Sequence, residues 1–297
     1  MEPGPYAVRI VEDVALRDPV QGRDLTVRVL YPEAKGPFPL VVYSSGSMCF
    51  PQMYDRITTH WVSHGYVVIT PNHLDSPNNA IKMQPDQYDD VLASRVRDAS
   101  FIVDSIDEIS RKAGAEGRVD STRVALGGHS FGAVISMIKT GLYLKDEFKG
   151  AWGEPYDDRF QAAVLMSGVG RGMREMADNA FDGIRKPLIA TGGTKDVGRV
   201  DLGKLTPAEW RMQPFLLAPP GDKYSVITEG SNHYMGGLIC NAKLGGDTPD
   251  TDAVEVVRAM TTVFLDAYIK KDRRAKRYLA TADVAGDSGS RARYQTR

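Results

Sequence analysis

The sequence predicts an α/β fold built on a mostly parallel sheet. Three observations carry this expectation. Six short, almost wholly apolar runs recur along the chain: PLVVYS (Pro39 to Ser44), YVVIT (Tyr66 to Thr70), VALGG (Val124 to Gly128), AAVLMS (Ala162 to Ser167), PLIAT (Pro187 to Thr191) and YSVIT (Tyr224 to Thr228). Strands that read as continuous apolar runs are covered on both faces, as in a parallel sheet. Stretches with helical periodicity fall between these runs, and alternation of strand and helix is the pattern of an α/β domain. Ahead of them, Tyr6 to Leu16 and Asp24 to Tyr31 alternate apolar and polar residues, as two half-exposed antiparallel strands would.

The helical stretches are Met53 to His64, Tyr88 to Lys112, Ser130 to Thr140 and Asp252 to Ile269. Tyr88 to Lys112 is the clearest, with Val91, Val96, Phe101, Ile102, Ile106 and Ile109 on one stripe. Thr206-Pro207-Ala208-Glu209 is a capping box with proline at the first helical position, so a further helix starts there. No linker divides the chain. One domain is expected over residues 1–280, followed by a small, polar and loose tail over 281–297.

Composition excludes several function classes. The 37 basic and 38 acidic residues leave a net charge of −1 and are interspersed, so no basic face invites nucleic acid. No apolar run reaches the ~18 residues a membrane span needs. The start, MEPGPYAVRIVED, lacks the apolar core of a signal peptide. That reads as a cytoplasmic protein by default, or an exported one whose N-terminus has been trimmed. No cluster of His, Cys and Asp has metal-ligand spacing, so neither metal nor cofactor is expected.

The chemistry centres on Gly128-His129-Ser130-Phe131-Gly132, a G-x-S-x-G pattern. The pattern alone is weak, but its context is not. VALGG precedes it and FGAVISMIKT follows it, so Ser130 falls on a strand-to-helix turn. Such an elbow exposes a nucleophilic Oγ, and its glycines let strand and helix pack closely. A nucleophilic serine needs a base, and the base needs an orienting acid. After such an elbow, acid and base follow in that order. Of the five histidines (His60, His64, His73, His129 and His233) only His233, in EGSNHYMGG, lies beyond the last apolar run. The acid is expected at Asp196, after PLIATGGTK at a strand's carboxyl end, with Asp201 and Glu229 as rivals. An oxyanion needs two preorganised N–H donors. These are the backbone N–H of Phe131 and that of Ser47 in the loop after PLVVY, with Met48 as the neighbouring alternative.

The segments PLVVYSSGSMCFPQMYDRITTHWVSHGYVVITPNHLDS, RVRDASFIVDSI, RVALGGHSFGA, PLIATGGTKD and GSNHY together resemble the α/β-hydrolases. The likeness is to the dienelactone-hydrolase-like and platelet-activating-factor-acetylhydrolase-like esterases, over about Pro39 to about Tyr268. It implies the α/β-hydrolase fold, with helices on both faces of the sheet. It also implies a Ser130–His233–Asp196 triad that cleaves carboxylic esters through an acyl-enzyme. Two positions depart from the pattern. Ser45-Gly46 stands where His-Gly is common, and Ser167 stands where acetylhydrolases carry their acid, which leaves Asp196, the dienelactone-hydrolase position. Lids in this superfamily follow the strand after the nucleophile helix, and residues 167–187 leave room for little more than one helix. No large cap is therefore expected.

Met48, Phe50, Tyr234 and Met235 flank the oxyanion loop and the base, and either line an apolar subsite or pack as core. Trp61 serves in either way. Cys49 and Cys240 sit near the same two loops. They form a disulfide if the protein is exported; two buried thiols are the plainer expectation. The expected partner is a small or accessible ester. Thioesters, lactones and polyesters use the same triad, and a hydrolase-fold protein that only binds its ligand is the remaining rival.

Overall fold

In a computed structural model of the chain, residues 1–79, 84–149, 154–197, 202–246 and 248–297 are described. The strands are β1 (Val8–Asp18), β2 (Arg23–Pro32), β3 (Phe38–Ser44), β4 (Val67–Pro71), β5 (Val119–His129), β6 (Phe160–Met166), β7 (Leu188–Lys195), β8 (Lys223–Asn232) and β9 (Ala292–Thr296). The helices are α1 (Asp55–Ser63), α2 (Tyr88–Asp104), α3 (Ile106–Ala113), α4 (Phe131–Thr140), α5 (Asp146–Lys149), α6 (Pro207–Arg211), α7 (Gln213–Leu217), α8 (Thr251–Tyr268), α9 (Arg273–Thr281) and α10 (Val284–Asp287).

One nine-stranded sheet runs in the order β1-β2-β4-β3-β5-β6-β7-β8-β9. Strands β3 to β8 are the six apolar runs, and every pairing among them is parallel. The alternating segments are β1 and β2, paired antiparallel as expected. Side chains along each inner strand alternate between two cores. Leu40, Val42, Val67, Ile69, Val124 and Leu126 face the layer of α2, α3, α4, α6 and α7. Val41, Tyr43, Val68 and Ala125 face the layer of α1, α8 and α9. Trp61 is fully buried in the second core, where its indole N–H donates to Thr261 Oγ1 at 3.1 Å. It therefore acts as core rather than as part of a site.

The helices match their sequence signals, with one refinement. The Tyr88 to Lys112 stretch breaks at Ser105 (φ −107°, ψ 12°) into α2 and α3. The capping box at α6 forms in both directions between Thr206 and Glu209. Residues 167–187 carry a single 3-10 turn, Ala180–Gly183, so no cap is inserted there. Among the described residues no helix is long and apolar enough to cross a membrane.

The expectation of a loose tail over 281–297 is overturned. Asp283 caps α10, and β9 adds to the sheet edge, antiparallel to β8 from Tyr224↔Thr296 to Thr228↔Ala292. The segment RARYQTR reads as polar, but an edge strand needs only one covered face. Ala292 is buried and Tyr294 stacks on Tyr224 at 6.3 Å. Truncation after Ser290 is expected to lower Tm by about 4 °C or more, since roughly 1 kcal/mol moves Tm by 2–4 °C at this size. Differential scanning calorimetry of the shortened chain checks this, and an unchanged Tm would show that β9 adds nothing.

Candidate active site

Because β3 to β8 run parallel, their carboxyl ends share one edge of the sheet, where ligand sites gather in open α/β folds. The loop after β3 carries Ser47, the turn after β5 carries Ser130, and the loops after β7 and β8 carry Asp196 and His233. Pairing of β7 with β8 ends at Lys195↔Asn232, after an irregularity between Gly193 and Lys195. That register sets the next residues of the two strands, Asp196 and His233, side by side.

Ser130 has φ 54° and ψ −112°, a left-handed backbone rare for a residue with a side chain. The neighbouring packing imposes it. A Cβ on Gly128 would overlap the Gly132 carbonyl, and one on Gly132 would overlap the Ser44 carbonyl. Bare glycines at both positions let α4 start directly against the ends of β3 and β5. Ser130 Oγ makes no hydrogen bond to another described residue, and it lines the same cavity as His233.

His233 Nδ1 donates to Asp196 Oδ1 at 2.7 Å. The carboxylate only accepts, so Nδ1 carries the proton and the Nε2 lone pair is left free. Asp196 is fully buried, and Arg211 Nε donates to the same oxygen at 2.9 Å. Burial alone raises the Asp196 carboxyl. The hydrogen bond from His233 and the Arg211 charge outweigh it and hold the group down at about 2. Arg211 also donates to the Ser167 and Gly168 carbonyls, at 3.0 and 3.2 Å. Its guanidinium edge lies 3.1 Å from His233 Nδ1, a contact between two donors that the shared Asp196 oxygen offsets. Of the rival acids, Glu229 pairs with Arg293 on the surface, and Asp201 lies outside the described residues.

Phe131 opens α4, so its N–H belongs to the first helical turn and has no intrahelical acceptor. Ser47 lines the cavity beside it. The Met48 N–H, the alternative second donor, is taken up by Asp75 Oδ2 at 3.1 Å. Two relays brace this region. Gly46 N–H donates to Tyr54 Oη, which meets His129 Nδ1 at 2.9 Å, and His129 Nε2 meets the His233 carbonyl at 3.0 Å. A carbonyl only accepts, so the His129 proton sits on Nε2 and Tyr54 donates to Nδ1. Burial pushes His129 far below the usual histidine range, which keeps it neutral. Below the loop, Ser44 Oγ meets His73 Nε2 and His73 Nδ1 meets Asp98 Oδ2, each at 2.8 Å.

The cavity has a volume of about 610 Å³. Its apolar wall is Met48, Tyr88, Val91, Val134, Val169, Met173, Trp210 and Tyr234. Met48 and Tyr234 therefore line the cavity. Phe50 and Met235 do not. Phe50 caps the 3-10 turn at Pro51–Tyr54 and does not line the cavity, and Met235, at φ 48°, packs in the core with α8. Apolar residues beside a site can face either way, and here the loop turn decides. Among the described lining residues Asp75 and Arg211 carry charge, and each is already paired, with Arg95 and Asp196. A larger cavity of about 740 Å³ opens between α8 and the C-terminal helices and holds none of these candidates.

Cys49 and Cys240 form a disulfide with Cα atoms 5.4 Å apart, which overturns the expectation of two buried thiols. The parallel sheet brings the loop after β3 and the His233 loop together, so residues 191 positions apart can bond. Sequence reasoning missed Arg211, Arg95 and Asp75. Two arginines on helices, Arg95 on α2 and Arg211 on α6, and an aspartate in a loop look like ordinary surface charge, and nothing local announces a partner far along the chain.

Two outcomes are expected. Denatured without reductant, the protein gives no reaction with a thiol reagent, and two thiols appear after reduction. Replacing both cysteines with serine costs roughly 2–5 kcal/mol. Second, Asp196 is held below its ordinary 3.8 in the folded state, so its ionised form adds stability that is full above about pH 4 and fades towards about pH 2. Chemical denaturation of wild type and Asp196→Asn across this range should show a stability gap that shrinks as the pH falls. A gap independent of pH would contradict the pairing.

The family model Chlorophyllase matches residues 2–141, which hold the loop after β3 and Ser130 but neither Asp196 nor His233. No curated protein matches the chain. With its mostly parallel sheet and two helical layers, the chain has the α/β-hydrolase fold and is similar to the Chlorophyllase family over residues 2–141.

Proposed function

We propose that this protein is a serine esterase that hydrolyses uncharged carboxylic esters. One observation carries the reading: a serine on a strained strand-to-helix turn shares a cavity with a histidine whose far nitrogen is held by a buried aspartate. Ser130 Oγ attacks the ester carbonyl as His233 Nε2 takes its proton. The carbonyl oxygen becomes an oxyanion, stabilised by the N–H groups of Phe131 and Ser47. The C–O bond to the alcohol breaks, and His233 returns the proton to that oxygen. Water then attacks the acyl-serine through the same base and releases the acid.

The Asp196–His233 contact supports the arrangement of dienelactone-hydrolase-like esterases, with the acid after β7. The apolar wall and the absence of an unpaired charge among the described lining residues support neutral acyl and alcohol groups. The disulfide supports a working life in an oxidising compartment.

Intact mass after treatment with a fluorophosphonate should show one adduct on wild type and none on Ser130→Ala. Turnover of p-nitrophenyl acetate, butyrate and octanoate should fall about 10⁴-fold or more in Ser130→Ala and His233→Ala. A panel adding a thioester, a lactone, a negatively charged monoester and chlorophyll, the compound named in the matching family, then sets the substrate class. The charged monoester is expected to be the poorest. A folded wild type that takes no adduct and cleaves no ester would overturn the reading.

A further inference from the structure

We propose that Arg95 and Asp75 are positioning residues that aim the second oxyanion donor and fix its spacing from the first. This rests on the esterase reading above. Arg95, on α2, is fully buried, and a buried guanidinium is costly unless its donors are satisfied. They are satisfied by the oxyanion loop itself. Nε donates to Asp75 Oδ1 at 2.8 Å, and one terminal nitrogen donates to Asp75 Oδ2 at 2.9 Å and to the Gly46 carbonyl at 3.0 Å. The other donates to the Ser45 carbonyl at 2.6 Å and lies 3.5 Å from Ser44 Oγ.

These bonds decide where the Ser47 N–H points. The Gly46–Ser47 peptide is trans, and in a trans peptide the C=O and the N–H point in opposite directions. Holding the Gly46 carbonyl on Arg95 therefore turns the Ser47 N–H away from the guanidinium. The next amide, Met48 N–H, is drawn back by Asp75 Oδ2. Among the described residues Ser47 is thus left as the free donor between two anchored peptides. The same guanidinium lies 4.8 Å from the centre of the Phe131 ring, whose own residue supplies the other donor. One planar group touches both halves of the oxyanion site. Its fork geometry is the part that lysine cannot copy.

Arg95→Lys and Asp75→Asn test this, with wild type and Ser130→Ala alongside. Active sites are titrated with fluorophosphonate, so rates refer to folded, competent protein. In Arg95→Lys, kcat is expected to fall on the order of tenfold to a hundredfold, below the roughly 10²–10³ lost when a donor is deleted outright. KM should move less than about threefold. The inhibition constant of an alkyl boronic acid, which becomes tetrahedral on Ser130, should rise by the factor by which kcat/KM falls. Asp75→Asn, which keeps its size and an acceptor for Met48, should lie on the same line with a smaller loss. A purely structural role would lower Tm and leave kcat per titrated site and boronate inhibition unmoved. Values within about twofold of wild type in either folded variant would overturn the proposal, and if Arg95→Lys does not fold, Asp75→Asn decides it. Should wild type itself take no adduct and cleave no ester, the esterase reading has failed instead.

Discussion

The close approach of α4 to the carboxyl ends of β3 and β5 is the constraint on which the rest of the site depends. Strand β5 is bonded into the sheet on both sides, and every residue of α4 is buried. Between them the chain has one residue, Ser130, in which to change direction. The left-handed backbone at that residue costs on the order of 1–3 kcal/mol, and only surroundings that over-determine it can hold it. Gly128 and Gly132 remove the side chains that would keep strand and helix apart. The result is a hydroxyl raised over the sheet edge, with the start of a helix beside it to supply an N–H. The loops after β3, β7 and β8 then have a fixed point to assemble around.

Those loops are held to one another more firmly than a surface site requires. The oxyanion loop and the His233 loop are joined covalently through Cys49 and Cys240. They are joined again through Gly46, Tyr54, His129 and the His233 carbonyl. Arg211 braces Asp196 from α6, and Arg95 braces the oxyanion loop from α2. Electrostatic stabilisation of a developing oxyanion works when donors need not reorganise during reaction, and in the proposed mechanism such redundancy supplies that rigidity. The cavity wall is largely apolar, with Tyr88 and Trp210 themselves tied by hydrogen bonds to Glu175 and the Arg171 carbonyl, which suits a surface that selects by shape and hydrophobicity.

Much of this was legible in the sequence because burial leaves a pattern. Strands covered on both faces read as PLVVYS or AAVLMS, and the elbow between two apolar runs marks Ser130. With those placed, chain order singles out His233 and Asp196 as candidates, and the β7–β8 register sets them side by side. Other parts left no local trace. β9 buries one face only, so ARYQT reads like a tail. Cys49 and Cys240 meet through topology. Arg95, Asp75 and Arg211 look like solvated charges, because the partner that makes each one tolerable in the interior comes from another element. Phe50 and Met235 were placed by proximity in sequence, whereas the turn at Met235 sends its side chain into the core.

The most direct test of the account is a crystal structure of the protein inhibited by a phosphonate ester. The expected result is a covalent bond from Ser130 Oγ to phosphorus. The phosphoryl oxygen should lie about 2.7–3.1 Å from the N–H groups of both Phe131 and Ser47, with the His233 ring still on Asp196. An adduct on another residue, or a phosphoryl oxygen turned away from either donor, would contradict it.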